Sequence, residues 1–194
     1  QQSSINQNPH NFIIHEIKKP KYLLNQHNGV IDEHLLENIR GGRLLAPAAK
    51  KWNEMREAAF HDGVVLMPVS SSSTYRTLAQ QIRIFLSHHE PCDASHPHSI
   101  YWDNRYWALK KNFALAAIPG MSNHGWGLSI NVRLSHYGRE KDWLLKHALR
   151  FGFCWEYVSE PWHLTYFPGD SMNRFWTAYG IEQATPGKWL HQPY

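Results

Sequence analysis

Cysteine is scarce: Cys92 and Cys154 are the only two in 194 residues, and they lie far apart in unlike contexts. Neither a disulfide framework nor a CxxC metal or redox motif can be built from them. Long apolar runs are lacking too. No stretch reaches the roughly 18 residues of a membrane-spanning helix, and the polar start QQSSINQNPH has no signal-peptide core. Because the chain begins at Gln1 and not Met, an upstream piece is expected to have preceded it, along with any export signal. There is no HExxH, no GxSxG nucleophile elbow and no P-loop, and GWGLSI lacks the third glycine of a dinucleotide fingerprint. A net charge of +4 suits anionic surroundings but is modest for a nucleic-acid binder.

What the chain does have is core-forming material. Apolar residues make up 42%, including nine Trp, and a charged fraction of 19% is too low for a disordered polyelectrolyte. This length fits one domain. We expect an extended arm over 1–30, one domain over 31–180 and a tail over 181–194. Asp32 and Gly41 bracket an expected short helix, and APAAKKWNEMREAAFHDG a longer one, with Pro47 in its first turn and Gly63 at its end. Val64 to Ser70 reads as a strand whose Pro68 implies an edge or bulge. Helical spacing resumes through Leu78, Ile82, Phe85 and Leu86, and Pro91 to about Asn104 reads as loop. REKDWLLKHALRFG predicts a helix stopped by Gly152, FCWEYVS and WHLTYF predict antiparallel strands, and a short helix is expected after Ser171. Mixed elements without regular βαβ alternation predict α+β: a small antiparallel or mixed sheet with packed helices.

Two clusters carry the chemistry. In NHGWGLSINVR, Leu128, Ile130 and Val132 share one strand face, predicted to meet the core, while Ser129, Asn131 and Arg133 share the other. His124, seven residues before Asn131, would point away from it on a continuous strand, but Gly125 and Gly127 can break the strand and swing it round. In SEPWHLTY, Glu160 stands three residues before His163, so a joint role requires an irregularity at Pro161. With that irregularity, His124, residue 131 and His163 can meet as three ligands with a fourth position open, the arrangement of a catalytic zinc, with Glu160 as general base beside it.

SSTYRTLAQQ, SNHGWGLSIN and EPWH occur in an order and spacing that resembles the M15 (VanY-like) D-alanyl-D-alanine carboxypeptidase family, zinc peptidases of peptidoglycan that include phage endolysins. Its signature resembles SxHxxGxAxD followed by ExxH. Ser122, His124, Gly127, Asn131, Glu160 and His163 fall on its positions, and the matched core spans roughly Leu45 to Tyr166. The resemblance implies a Hedgehog/DD-peptidase-like fold. It also implies that His124, His163 and residue 131 hold zinc, that Glu160 moves protons between water and the leaving amine, and that Arg76 steadies the developing oxyanion. Ser122 and Gln81 would hold substrate, and Trp162 would support the site. Implied partners are peptidoglycan stem peptides, cut as a D,D-carboxypeptidase or as a stem-peptide endopeptidase. The implied location is a bacterial cell wall or periplasm, or a phage lysis or virion context.

Asn131 departs from the family's aspartate. A neutral amide is a ligand zinc rarely uses, so zinc binding is expected to be weak or lost and the enzyme impaired. An engineered change, a natural enzyme with a weak ligand, and a non-catalytic wall-peptide or protein-binding module on the same scaffold all fit the exchange. The histidine-rich SHHEPCDASHPH has metal-ligand residue types without a zinc spacing and is expected to rim the substrate cleft. Trp102, Tyr106 and Trp107 are expected mainly to pack that segment.

Overall fold

The structure, a computed structural model, describes residues 23–156 and 160–166. The helix expected between Asp32 and Gly41 is a hairpin instead. After a one-turn 3-10 segment, β1 (Leu36–Ile39) pairs antiparallel with β2 (Gly42–Leu45), Leu36 opposite Leu45. Asp32 caps nothing; its carboxylate accepts from Gln26 Nε2 at 2.7 Å, and Gly41, at φ +90°, turns the hairpin instead of stopping a helix. Burial of Ile39, Leu44 and Leu45 stabilises the pair, a tertiary gain that outweighs local helical preference.

α1 (Ala46–His61) follows directly, with Pro47 in its first turn and Ala48, Trp52, Met55 and Ala59 buried on one face. The predicted strand from Val64 to Ser70 is extended but unladdered: it meets the rest of the fold through an isolated Pro68–Val132 bridge, flanked by Arg133 N to Met67 O and Val69 N to Asn131 O. Pro68 has no N–H to continue a ladder, which explains the truncation. α2 (Leu78–His88) opens with a capping box between Thr77 and Gln80.

The stretch read as loop from Pro91 to Asn104 contributes to a small sheet. β3 (His89–Pro91), β4 (Ile100–Trp102) and β5 (Arg105–Leu109) pair antiparallel in the order β3-β5-β4. Its turn uses Asp103 and Asn104, both at positive φ, so turn chemistry dominated the sequence reading while the aromatics around it made strands. Trp107 is buried, and Trp102 and Trp107 pack edge-on against Phe85, as expected of them, whereas Tyr106 is exposed.

The sheet that positions the site is β6 (Ser129–Asn131), β8 (His163–Tyr166) and β7 (Phe153–Trp155), in that order and antiparallel throughout. α3 (Arg139–His147) precedes β7 and ends through a 3-10 turn at Gly152, as the sequence predicts. Leu128, Ile130 and Val132 are fully buried against α1, β2 and β7, with the Trp52 and Phe153 rings edge-on at 6.2 Å. Each such side chain contributes about 1.5–3 kcal/mol by burial.

The described part of the expected arm, from Leu23, packs on the rest of the chain. Leu23 and Ile31 are buried, Asn28 donates to Ser122 O, and Gly29 exchanges backbone hydrogen bonds with Gly125 and Leu78, so residues 23–30 belong to the packed unit. The rest of the arm, the 180/181 boundary and the expected helix after Ser171 lie outside the described residues.

Candidate functional site

His124 sits in a 3-10 turn, Asn123–Trp126, that interrupts the run into β6. Ser122 caps this turn by accepting from His124 N at 3.2 Å, and Gly127 leaves it in the left-handed region at φ +69°. A Cβ at Gly125 would lie 1.9 Å from Asn28 Oδ1, so only glycine lets the turn press against the Asn28–Gln81 pair. The strand break expected from the two glycines is therefore present, and it turns the histidine inward. His124 Nδ1 lies 2.9 Å from Thr74 O. A carbonyl only accepts, so Nδ1 carries the proton and Nε2 keeps a lone pair. Burial, then the charges of Arg76 and His163, push His124 well below the ordinary histidine range, which keeps that lone pair available.

Pairing of β6 with β8 puts Asn131 directly opposite His163. Asn131 Oδ1 faces His163 Nδ1 at 2.9 Å, the Asn131 side chain also bonds toward His124, and the two imidazole rings stand 5.1 Å apart. Two imidazoles and an amide oxygen from distant segments thus converge.

The irregularity expected at Pro161 is a turn. His163 N donates to Glu160 O at 3.0 Å, Trp155 Nε1 donates to Pro161 O, and β8 begins only at His163. This brings the Glu160 carboxyl to the same side as His163. Burial raises its pKa above the ordinary range, against the pull of His163 and Arg76. Arg76 lies opposite, its Nε donating to Ser72 O at 2.9 Å and its backbone N to His124 O. Desolvation pushes its guanidinium down to about 10, opposed by Glu160, so it remains cationic at neutral pH.

These groups share a cavity of about 380 Å³. Ser122, Asn123 and Trp162 complete its polar wall, and Ile84, His88 and residues 114–117 form the opposite one. Gln81 is not among the lining residues. It is buried behind them, donating to Asn28 Oδ1 and accepting from Gly120 N, so it ties together the turns that line the site. Of the histidine-rich segment only His88 reaches the cavity; His89 is buried on Phe85, and His96 and His98 are exposed.

One residue went unread in the sequence. Glu156, at the end of β7, is 4% exposed; its carboxylate faces His163 Nε2 at 2.5 Å and accepts from Thr165 Oγ1 at 2.6 Å and from Asn123 Nδ2. Burial works to raise this carboxyl, but its hydrogen bonds and the His163 charge outweigh it and hold it below the ordinary range. The signal was an acid directly after the apolar strand FCW, one step beyond Trp155, which pairs with Leu164 next to His163.

The donor set fits a cation. His163 presents oxygen acceptors to both ring nitrogens, and a neutral imidazole has one N–H; two protons on the ring satisfy both, or a cation takes the place of the proton on the Nδ1 edge. Ligands about 2.0–2.1 Å from a tetrahedral zinc stand about 3.3 Å from one another; the Asn131–His163 separation of 2.9 Å is close to that. Among the described residues no three His, Cys, Asp or Glu side chains are grouped to hold a metal ion.

Comparison with known proteins gives a consistent picture. A model of the VanY family, D-alanyl-D-alanine carboxypeptidase, matches residues 42–169. No curated protein sequence matches significantly. Among solved structures, a vancomycin-resistance D,D-pentapeptidase, VanY from a VanB-type cassette with Zn(II), aligns at 22% identity and TM-score 0.50, covering 72% of this chain and 83% of that one. VanYB in complex with D-alanine-D-alanine aligns at 21% and 0.51, covering 77% and 88%. The vancomycin-resistance D,D-dipeptidase VanXYg, with a phosphinate analogue of D-Ala-D-Ala, aligns at 21% and 0.51, covering 78% and 63%. At these identities the likeness establishes the fold.

Proposed function

The chain belongs to the VanY family of D-alanyl-D-alanine carboxypeptidases, and from that premise we propose that it is a zinc-dependent peptidase of peptidoglycan stem peptides whose metal site is weakened by Asn131. The observation that carries this reading is the meeting of His124, Asn131 and His163 beside Glu160 and Arg76 in one cavity. His124 through Nε2, His163 through Nδ1 and Asn131 through Oδ1 would hold the ion. Bound there, zinc supplies a Lewis acid that acidifies water and polarises a carbonyl.

The remaining steps fall to side chains. Glu160, poised by burial to exchange a proton nearer neutrality than a free carboxyl, takes the proton of the attacking water and returns it to the departing amine. Arg76 sits across the cavity as a fixed cation for the oxygen that gains charge as the carbonyl is attacked. Trp162 and residues 114–117 flank the space where the peptide lies, and Ser122 holds the His124 turn in place. Relatives captured with D-Ala-D-Ala or its phosphinate analogue favour a D-Ala-D-Ala terminus as the substrate, at a cell wall whose anionic polymers suit a net charge of +4.

The test is zinc content by elemental analysis together with cleavage of pentapeptide-bearing wall fragments, for the wild-type chain and for Asn131→Asp. Zinc uptake with release of D-Ala, stronger in the variant, is expected. A well-folded variant that neither binds zinc nor cleaves would overturn the reading and leave a binding module.

A further inference from the structure

The proposed chemistry does not use Glu156, yet this is the most deeply buried carboxylate beside the site. Among the described residues its ion-pair contact is with His163. A buried anion is costly unless a cation and hydrogen bonds compensate it, so a residue placed this way needs a reason. We propose that Glu156 is a positioning residue for His163: it accepts from Nε2, so that the Nδ1 edge of the ring is turned to Asn131 and His124, and supplies from behind the ring the negative charge that position 131 lacks. This inference rests on the zinc-peptidase reading above.

The geometry is that of a carboxylate–histidine pair behind a metal. Glu156 Oε2 faces Nε2 at 2.5 Å, while Nδ1, on the other edge, faces Asn131 Oδ1 at 2.9 Å. Such a partner fixes the ring's orientation and tautomer and raises its basicity as a ligand. The carboxylate is itself held. Thr165 Oγ1 donates to Oε2 at 2.6 Å, and Ser129 Oγ meets Thr165 Oγ1 at 2.7 Å, tying Glu156 to the strand that carries Asn131. Ser129, Asn131, His163 and Thr165 share the face of the β6–β8 pair opposite the Ile130–Leu164 core, so one buried network spans the side chains at and behind the site. An aspartate among the ligands would place its charge in contact with the ion. Here an amide takes that place, and the nearest buried anion sits one imidazole away.

The test uses the full chain. In metal-free wild-type protein labelled with ¹⁵N-histidine, a hydrogen-bonded Nε2–H of His163 is expected in ¹H–¹⁵N correlation, with His163→Asn identifying its signal. Glu156→Gln is expected to weaken that hydrogen bond, moving the Nε2–H signal upfield, and to weaken zinc binding about 10–100-fold in competition with a chromophoric chelator. In the Asn131→Asp background the same substitution is expected to cost less, because the charge is then present in the ligand set. A His163 ring without a proton on Nε2 in the wild type, which needs no substitution to observe, would overturn the proposal. So would a folded Glu156→Gln chain that binds zinc within threefold of wild type. If Glu156→Gln does not fold, Glu156→Asp, which keeps the charge but withdraws it from Nε2, is expected to show the same loss of affinity. A chain that takes up no zinc, with or without Asn131→Asp, overturns the peptidase reading itself.

Discussion

Asn131 and His163 stand opposite each other on paired strands, amide oxygen to imidazole Nδ1 at 2.9 Å. Strand register, and not a flexible loop, sets this distance, so a side chain of the same shape at position 131 will keep it. Asn131→Asp adds a charge at constant geometry. It is expected to raise zinc affinity at least about 10-fold, the low end of what even an indirect ligand partner is worth. Chelator competition measures this, and equal affinities would show that residue 131 does not touch the ion.

Glu160 gives a pH signature separate from metal. Its folded pKa lies above the ordinary 4.5 because burial disfavours the carboxylate. The folded state therefore binds the proton more tightly than the unfolded one. The stabilisation this provides is complete below about pH 4.5 and is lost as pH rises through the elevated folded value. Glu160→Gln, always neutral, escapes the loss. The urea midpoint of Glu160→Gln relative to wild type should climb between pH 4 and pH 7 in metal-free protein; a flat difference would mean that Glu160 is not desolvated.

Gly125 is expected to tolerate no side chain. A Cβ there would meet Asn28 Oδ1 at 1.9 Å and Gln81 Nε2 at 2.5 Å, both buried and hydrogen-bonded to each other. Gly125→Ala should destabilise the chain by about 1–3 kcal/mol, the usual range for overpacking, and displace His124. Denaturant unfolding checks the first effect, and loss of zinc uptake at a temperature where the variant is folded checks the second.

The two thiols should differ sharply in reactivity. Cys154 is buried on β7, and burial pushes its thiol far above the ordinary value, whereas Cys92 is partly exposed. Ellman's reagent at pH 8 should label one thiol per native chain and two after unfolding, with Cys92→Ser abolishing the native signal. Rapid native labelling of both would place Cys154 outside the core.

The structure shows which parts of this arrangement a linear reading could reach. Periodicity carried α1, α2 and α3, because their buried faces recur at helical spacing, and the Leu128, Ile130 and Val132 face of β6, because strand alternation is local. It misjudged Leu36–Ile39 and the strands around Asp103, where pairing partners and turn geometry, not intrinsic preference, decided the state. In the site, His124, Asn131, Glu160 and His163 were legible through motif spacing. Glu156 was not, since it acts through strands β7 and β8 lying side by side. Gln81 carried a motif signal, but its burial behind the wall depends on Asn28 and Gly120 from remote segments.

The amino-acid order alone determined which donor atoms exist, that glycines flank His124, that a proline interrupts the approach to His163 and that an amide occupies position 131. Those are properties of residue types and short spacings. Tertiary structure alone decided that β6 and β8 pair in the register that sets Asn131 against His163, and that the Glu156 carboxylate closes behind the ring. The reason is physical: hydrogen-bonded register and the compensation of a buried charge are set by groups far apart in the chain, whose meeting depends on how the whole core packs.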